Sequence, residues 1–184
     1  MDKTANNPSR ELIALLQDME QRSRRRASDL PTQDQQHGLW EGILFSIVGM
    51  PVVASLKQVK EILNIPSAMT LVPGTHRWML GIANVRGNLL PVIDLQLFLG
   101  GTPITIEKRS RVLVVSHRGG QSGLLVGDVQ GLRHFSEEQR VALPELPGSL
   151  AAYVEQAFRL DDQVWPVFEL QSLATSPAFQ VAAL

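Results

Sequence analysis

Apolar residues change their spacing once along this chain, and the change divides it in two. In residues 9–27, Leu12, Leu15, Leu16 and Met19 recur at i, i+3, i+4 and i+7 with Ile13 beside them, the stripe of an amphipathic helix. Ser9 stands where a cap belongs and Glu11 falls in the first turn. Arg22, Arg24, Arg25 and Arg26 crowd the last turn, where the helix dipole favours cations. That basic cluster suits a solvated helix end, or a contact with anionic lipid or an acidic partner. Residues 30–37 then read as a polar linker.

From Leu39 onward the apolar runs shorten and are punctuated by Gly and Pro. Residues 43–48 and 51–54 read as a hairpin turning at Gly49. Residues 56–63 place apolar side chains at 56, 59, 62 and 63, which predicts a short amphipathic helix ended by Pro66. A brief extended piece at 71–73 and a helical turn at 75–80 lead into residues 81–95. That stretch reads as strand, tight turn, buried strand and short helix. Pro91 removes a backbone donor inside the second run, which places it on an edge or at a bulge. Beyond the short helix at 95–99 and a polar connection at 101–110, residues 111–116 and 122–126 form a second hairpin across Gly119 and Gly120. Residues 127–133 continue as a strand bent at each Gly, and residues 136–149 read as loop. A third hairpin pairs 153–160 with 164–170 across Asp161-Asp162-Gln163, followed by a short helix near 171–174. Many short strands at close spacing indicate a mainly β fold, a small barrel or a sandwich.

Composition narrows the function. The 184 residues suffice for one sizeable core plus a tail, and 44 % hydrophobic with 19 % charged residues fits a folded domain. A net charge of -1 gives no basic face for nucleic acid. The absence of Cys excludes thiolate nucleophiles, disulfides and Cys-type metal sites, and fits a reducing compartment. The first residues carry no apolar signal segment, and no run is long enough to span a bilayer, so a cytoplasmic protein is expected.

No enzyme pattern emerges either. His37, His76, His117 and His134 have no helical i, i+4 partner, so no metal site is expected; His117 and His134 fall at strand ends. Gly120-Gln121-Ser122-Gly123 has the wrong spacing for a nucleophile elbow, and Gly119-Gly120 lacks the Lys and helix of a phosphate loop. Asp161-Asp162 suits a turn. Trp40, Trp78 and Trp165 are expected in the core or at a seam. No cofactor is implied. What remains is Arg86, a long polar side chain among apolar positions. It either holds its turn through an acid or stands at the rim of an apolar groove as a recognition residue.

Lys60-Glu61-Ile62, the block Gly81-x-x-Asn84-x-Arg86-Gly87-x-x-x-Pro91-x-x-Asp94-Leu95 and Leu125-Val126-Gly127-Asp128-Val129 together resemble the CheW family of chemotaxis adaptors, in order and at family spacing from about residue 43 to 173. The N-terminal extension and Trp40-Glu41-Gly42-Ile43 are similar to its PilI-type subfamily, which serves type IV pili and twitching motility. The resemblance implies two small SH3-like five-stranded barrels sharing an apolar interface over residues 38–184, preceded by a helix and linker over 1–37. It implies a non-catalytic adaptor, recruited to membrane-associated receptor arrays. One surface would bind the cytoplasmic tip of a membrane chemoreceptor, another the regulatory domain of a CheA-type histidine kinase. The receptor groove carries over to Val59, Glu61, Gly81, Asn84, Arg86 and Gly87, with Glu61 and Arg86 expected to pair across its rim. Residues from Gln96 onward leave the kinase surface unplaced. The alternatives are a flagellar adaptor of the same family or a small ligand- or oligonucleotide-binding barrel. The latter would need a basic, aromatic-studded strand face, and the chain has one Tyr.

Overall fold

Two adjacent residues with positive φ set the first hairpin. The computed structural model describes residues 39–181, so the helix and linker expected over 1–37 lie outside the described residues. β1 (Trp40–Ile47) and β2 (Met50–Ser55) turn at Val48 and Gly49, with φ of 52° and 72°, the type I′ geometry that matches strand twist. A β-branched residue is disfavoured there. Val48 is held by packing against the core and by its N–H donating to Gln96 Oε1 at 2.9 Å.

The helix expected over 56–63 does not form. Leu56–Gln58 make a single 3₁₀ turn, and β3 (Glu61–Leu63) pairs antiparallel with β6 (Arg111–His117). The apolar spacing is helical, but eight residues hold a helix poorly, and Val59 and Ile62 favour extended backbone. Lys60 N–H donates to Val114 O at 2.8 Å, and exposure alternates residue by residue from 59 to 65. The helical turn at 75–80 is likewise one tight turn, closed by Met79 N–H on His76 O, before β4 (Met79–Val85) begins.

β5 (Asn88–Asp94) pairs with β4 and, in parallel, with β7 (Gly120–Phe135). The parallel ladder starts at Val92, so Pro91 sits just outside it, where no donor is needed. Asp94, 1 % exposed, caps α1 (Leu95–Phe98): its two carboxylate oxygens accept from Leu97 N–H at 2.9 Å and Ile104 N–H at 2.8 Å.

β7 is the strand that joins the halves. Its first part pairs with β6 and β5; beyond Gly127 it pairs with β1, after an irregularity where Asp128 and Gly131 take φ of 39° and 115°. One barrel is β3-β6-β7-β5-β4. The other runs from β7 through β1 and β2 to β10 (Gln163–Phe168), β9 (Val154–Leu160) and β8 (Arg140–Val141). β9 and β10 turn at Asp161 and Asp162, with φ of 50° and 61°, as expected of that pair. The loop expected at 136–149 instead contains a 3₁₀ turn, Glu137–Gln139, β8 and the start of α2 (Gly148–Ala151). β8 was hidden because two residues carry no alternation to read. α3 (Leu170–Thr175) and α4 (Pro177–Gln180) close the described chain.

Strand alternation divides the buried residues into three clusters. Val112, Val114, Leu125, Val92 and Ala83 fill the first barrel. Leu44, Val53, Phe135, Phe158 and Trp165 fill the second. Their neighbours along the same strands, Ile43, Phe45, Val52, Leu113, Val115, Leu124 and Ile93, meet in a shared core with α3. Being buried on both faces explains why these strands read as continuous apolar runs. Full burial of such a side chain contributes about 1.5–3 kcal/mol, so the shared core holds the two barrels against each other.

Candidate partner-binding site

The β4–β5 turn is built to hold Arg86 outward. Arg86 and Gly87 take φ of 53° and 84°, again type I′, and Asn84 Oδ1 accepts the Gly87 N–H at 2.9 Å. Arg is an unusual choice at a left-handed position, where Asn, Asp or Gly is cheaper. Its side chain is 74 % exposed, and Nη2 lies 2.5 Å from Glu61 Oε1, whose side chain is 32 % exposed. The expected pair therefore forms, between the middle of a barrel edge and a tight turn. In so wet a setting it adds under about 1 kcal/mol to stability; its effect is to aim the guanidinium.

Arg86 stands between two clefts. One, of about 200 Å³, is lined by Glu61, Val85, Arg86, Leu89, Leu90 and Val114. The other, of about 480 Å³, is lined by Leu63, Pro66, Ala68, Asn84, Val85 and Arg86. Leu89 is 73 % exposed while Leu90 is 4 % exposed. The site thus combines the Arg86 guanidinium, the partly compensating acid Glu61, Lys60 on the cleft wall and a bare leucine. Chemically, that arrangement suits a surface bearing an acid or amide next to an apolar residue.

Four of the six residues singled out from sequence, Glu61, Asn84, Arg86 and Gly87, come together here. Gly81 does not join them. It lies down β4 with φ of 142°, where an added Cβ would stand 2.6 Å from Thr70 O, and its role is to let residue 70 cross the strand. Val59 packs against the shared core, two residues before Glu61. Leu89 was missed from sequence. Its signal was the adjacent pair Leu89-Leu90: in a strand one of two neighbours must face outward.

The remaining candidates are accounted for within the fold. His117 and His134 sit at strand ends, bonded to Ser122 Oγ at 2.9 Å and paired with Glu41 at 3.0 Å. Trp165 is 3 % exposed, Trp40 stacks on Phe135 with centroids 4.8 Å apart, and Trp78 lies between His76 and Phe98. Among the described residues no group of three His, Asp or Glu side chains converges as a metal site, and no helix is long and apolar enough to cross a membrane.

Residues 41–178 match the family profile of the CheW-like domain. The chain is 40 % identical over 166 residues to the Pseudomonas aeruginosa protein PilI, covering 90 % of this chain and 92 % of that one. It is 29 % identical over 143 residues to a probable chemotaxis protein CheW of Rhizobium etli, covering 77 % and 92 %. Among solved structures, the scaffolding protein TtCheW of Thermoanaerobacter tengcongensis superposes with a TM-score of 0.64 at 26 % identity, covering 76 % of this chain and 94 % of that one.

Proposed function

The chain belongs to the CheW family of scaffolding adaptors, and from that premise we propose that it couples a membrane chemoreceptor to a CheA-type histidine kinase, without catalysis of its own, in the chemosensory system that controls type IV pili and twitching motility. The observation that carries the receptor side is Arg86, locked at a left-handed turn position and flanked by two clefts and the exposed Leu89. The 40 % identity to PilI supports the pilus system over a flagellar one.

The mechanism needs only binding and stiffness. The receptor's cytoplasmic tip meets the Arg86 rim, and the kinase regulatory domain meets a separate face. Each contact falls near the low end of interface sizes, roughly 1,000 Å² of total buried surface. In an array the second contact becomes intramolecular, and avidity rises by about 10²–10⁴. A change in receptor geometry reaches the kinase because the shared core keeps the two barrels from moving independently. The adaptor itself stays cytoplasmic and is held at the array by its partners.

Affinity co-purification of the tagged full chain from its own cells, wild type beside Arg86→Ala, tests this. The expected result is a histidine kinase and a chemoreceptor with wild type, and loss of the receptor alone with the variant. Partners from a flagellar system would overturn the pilus assignment. Recovery of neither kinase nor receptor would overturn the adaptor reading.

A further inference from the structure

A larger cleft, of about 700 Å³, opens on the opposite face of the first barrel's sheet from the Arg86 rim. The Arg86 cleft uses Leu90 and Val114; this one uses Pro91 and Ile93, on the other face of β5 from Leu90, together with Ser122, which pairs across the ladder with Val115, the neighbour of Val114. Its apolar walls are Met79, Pro91, Ile93 and Phe179, the last from α4. Its volume lies in the range of small-molecule sites.

Among the polar groups of this cleft, Thr175 Oγ1 already donates to Gln171 O at 2.9 Å and Gln180 Nε2 to Ala174 O at 3.4 Å, which leaves Ser122 and Arg118 as the side chains with donors to give. Gly119 N–H donates to His117 Nδ1 at 3.2 Å, which places the ring proton on Nε2, and Nε2–H is then given to Ser122 Oγ at 2.9 Å. Ser122 is 5 % exposed, and its own hydroxyl proton has no acceptor among the described residues. Arg118, at the rim, makes no ion pair with a described residue, and no Asp or Glu lines the cleft. A buried O–H left to donate, an uncompensated guanidinium and apolar walls call for a ligand with an anionic head and an apolar body.

We propose that this cleft is a binding site for a small organic carboxylate, its carboxylate received by Ser122 O–H and Arg118 and its apolar body lying against Met79 and Pro91. Such a ligand would bridge the β6–β7 and β4–β5 hairpins, so the adaptor would respond directly to a soluble anion. This goes beyond the adaptor reading and does not depend on it.

The test is a heteronuclear NMR titration of the full chain with 4-phenylbutyrate, with 4-phenylbutanol as the neutral match. The expected result is saturable shifts at the amides of Gly119, Ser122, Thr175 and Gln180, with a Kd of roughly a few millimolar for a probe of this size. The alcohol should bind about 10-fold more weakly, as expected on losing a charge-assisted contact. Arg118→Gln should weaken the acid about 10-fold and leave the alcohol unchanged, while Arg118→Lys should restore most of the affinity. Arg118 sits on an exposed turn, so the variant's undisturbed spectrum serves as the folding control. Absence of saturable shifts, shifts that map elsewhere, or equal binding of acid and alcohol would overturn the proposal. So would acid binding that Arg118→Gln does not change.

Discussion

Substituting Gly81 by Ala should damage the fold and not only a surface. At φ of 142° an L side chain is strained, and the added Cβ would stand 2.6 Å from Thr70 O and 3.0 Å from Thr70 C, both backbone atoms. The paired hydrogen bonds between Thr70 and Ile82, at 2.9 and 2.8 Å, would have to yield. Backbone strain of about 1–3 kcal/mol and overpacking of about 1–3 kcal/mol together give a loss of about 2–6 kcal/mol. At about 2–4 °C per kcal/mol for a chain of this size, Tm falls by about 4–24 °C. Gly87→Ala is the control: φ is 84°, but nothing lies within 4 Å of its Cβ. Strain alone then costs about 1–2 kcal/mol. Thermal melts followed by circular dichroism compare the two. A Gly81→Ala Tm within about 1 °C of wild type, or a smaller drop than Gly87→Ala, would refute the crossing argument and return Gly81 to the surface role that the family resemblance implied.

Three further perturbations test other parts of the account. Asp94→Ala strands the half-buried Ile104 N–H and uncaps α1, so urea denaturation should show a loss of about 2–4 kcal/mol; a loss under about 1 kcal/mol would mean the carboxylate is dispensable. Asp162→Gly relieves a left-handed φ of 61° in a type I′ turn and should gain about 0.5–1 kcal/mol, read as a higher urea midpoint; a lower midpoint would contradict it. Among the described residues Ile43 onward, with Trp40 packed against them, already close three core clusters, and a chain lacking residues 1–37 should still melt cooperatively. A truncated protein without a sharp transition would show that the N-terminal segment completes the fold.

The hairpins were legible because their turns carry chemical signatures: Gly49, Arg86-Gly87 and Asp161-Asp162 are residues that positive φ selects or tolerates. The strand at Glu61–Leu63 was not, since Leu56, Val59, Ile62 and Leu63 follow helical spacing, and the pairing with Val112–Val114 overrides it. Nor could spacing show that Ile43 and Leu44 serve different cores, because that depends on a second barrel packing on the first. At the site, the Glu61–Arg86 pair was legible from charge and the family block. Leu89 was legible only as one of the adjacent pair Leu89-Leu90, and the cleft around Ser122 was not legible at all, since it forms where the β6–β7 hairpin meets β5 and α4.

Arg86 is proposed to serve recognition while contributing little to stability. The deciding measurement is the Kd of wild type and Arg86→Ala for the cytoplasmic fragment of the co-purified chemoreceptor, by calorimetry, with the Tm of each protein measured alongside. The expected result is a Kd raised about tenfold or more with Tm moved by no more than about 3 °C, as befits an exposed ion pair. An unchanged Kd with a markedly lower Tm would contradict it, leaving Arg86 as a brace for its own turn.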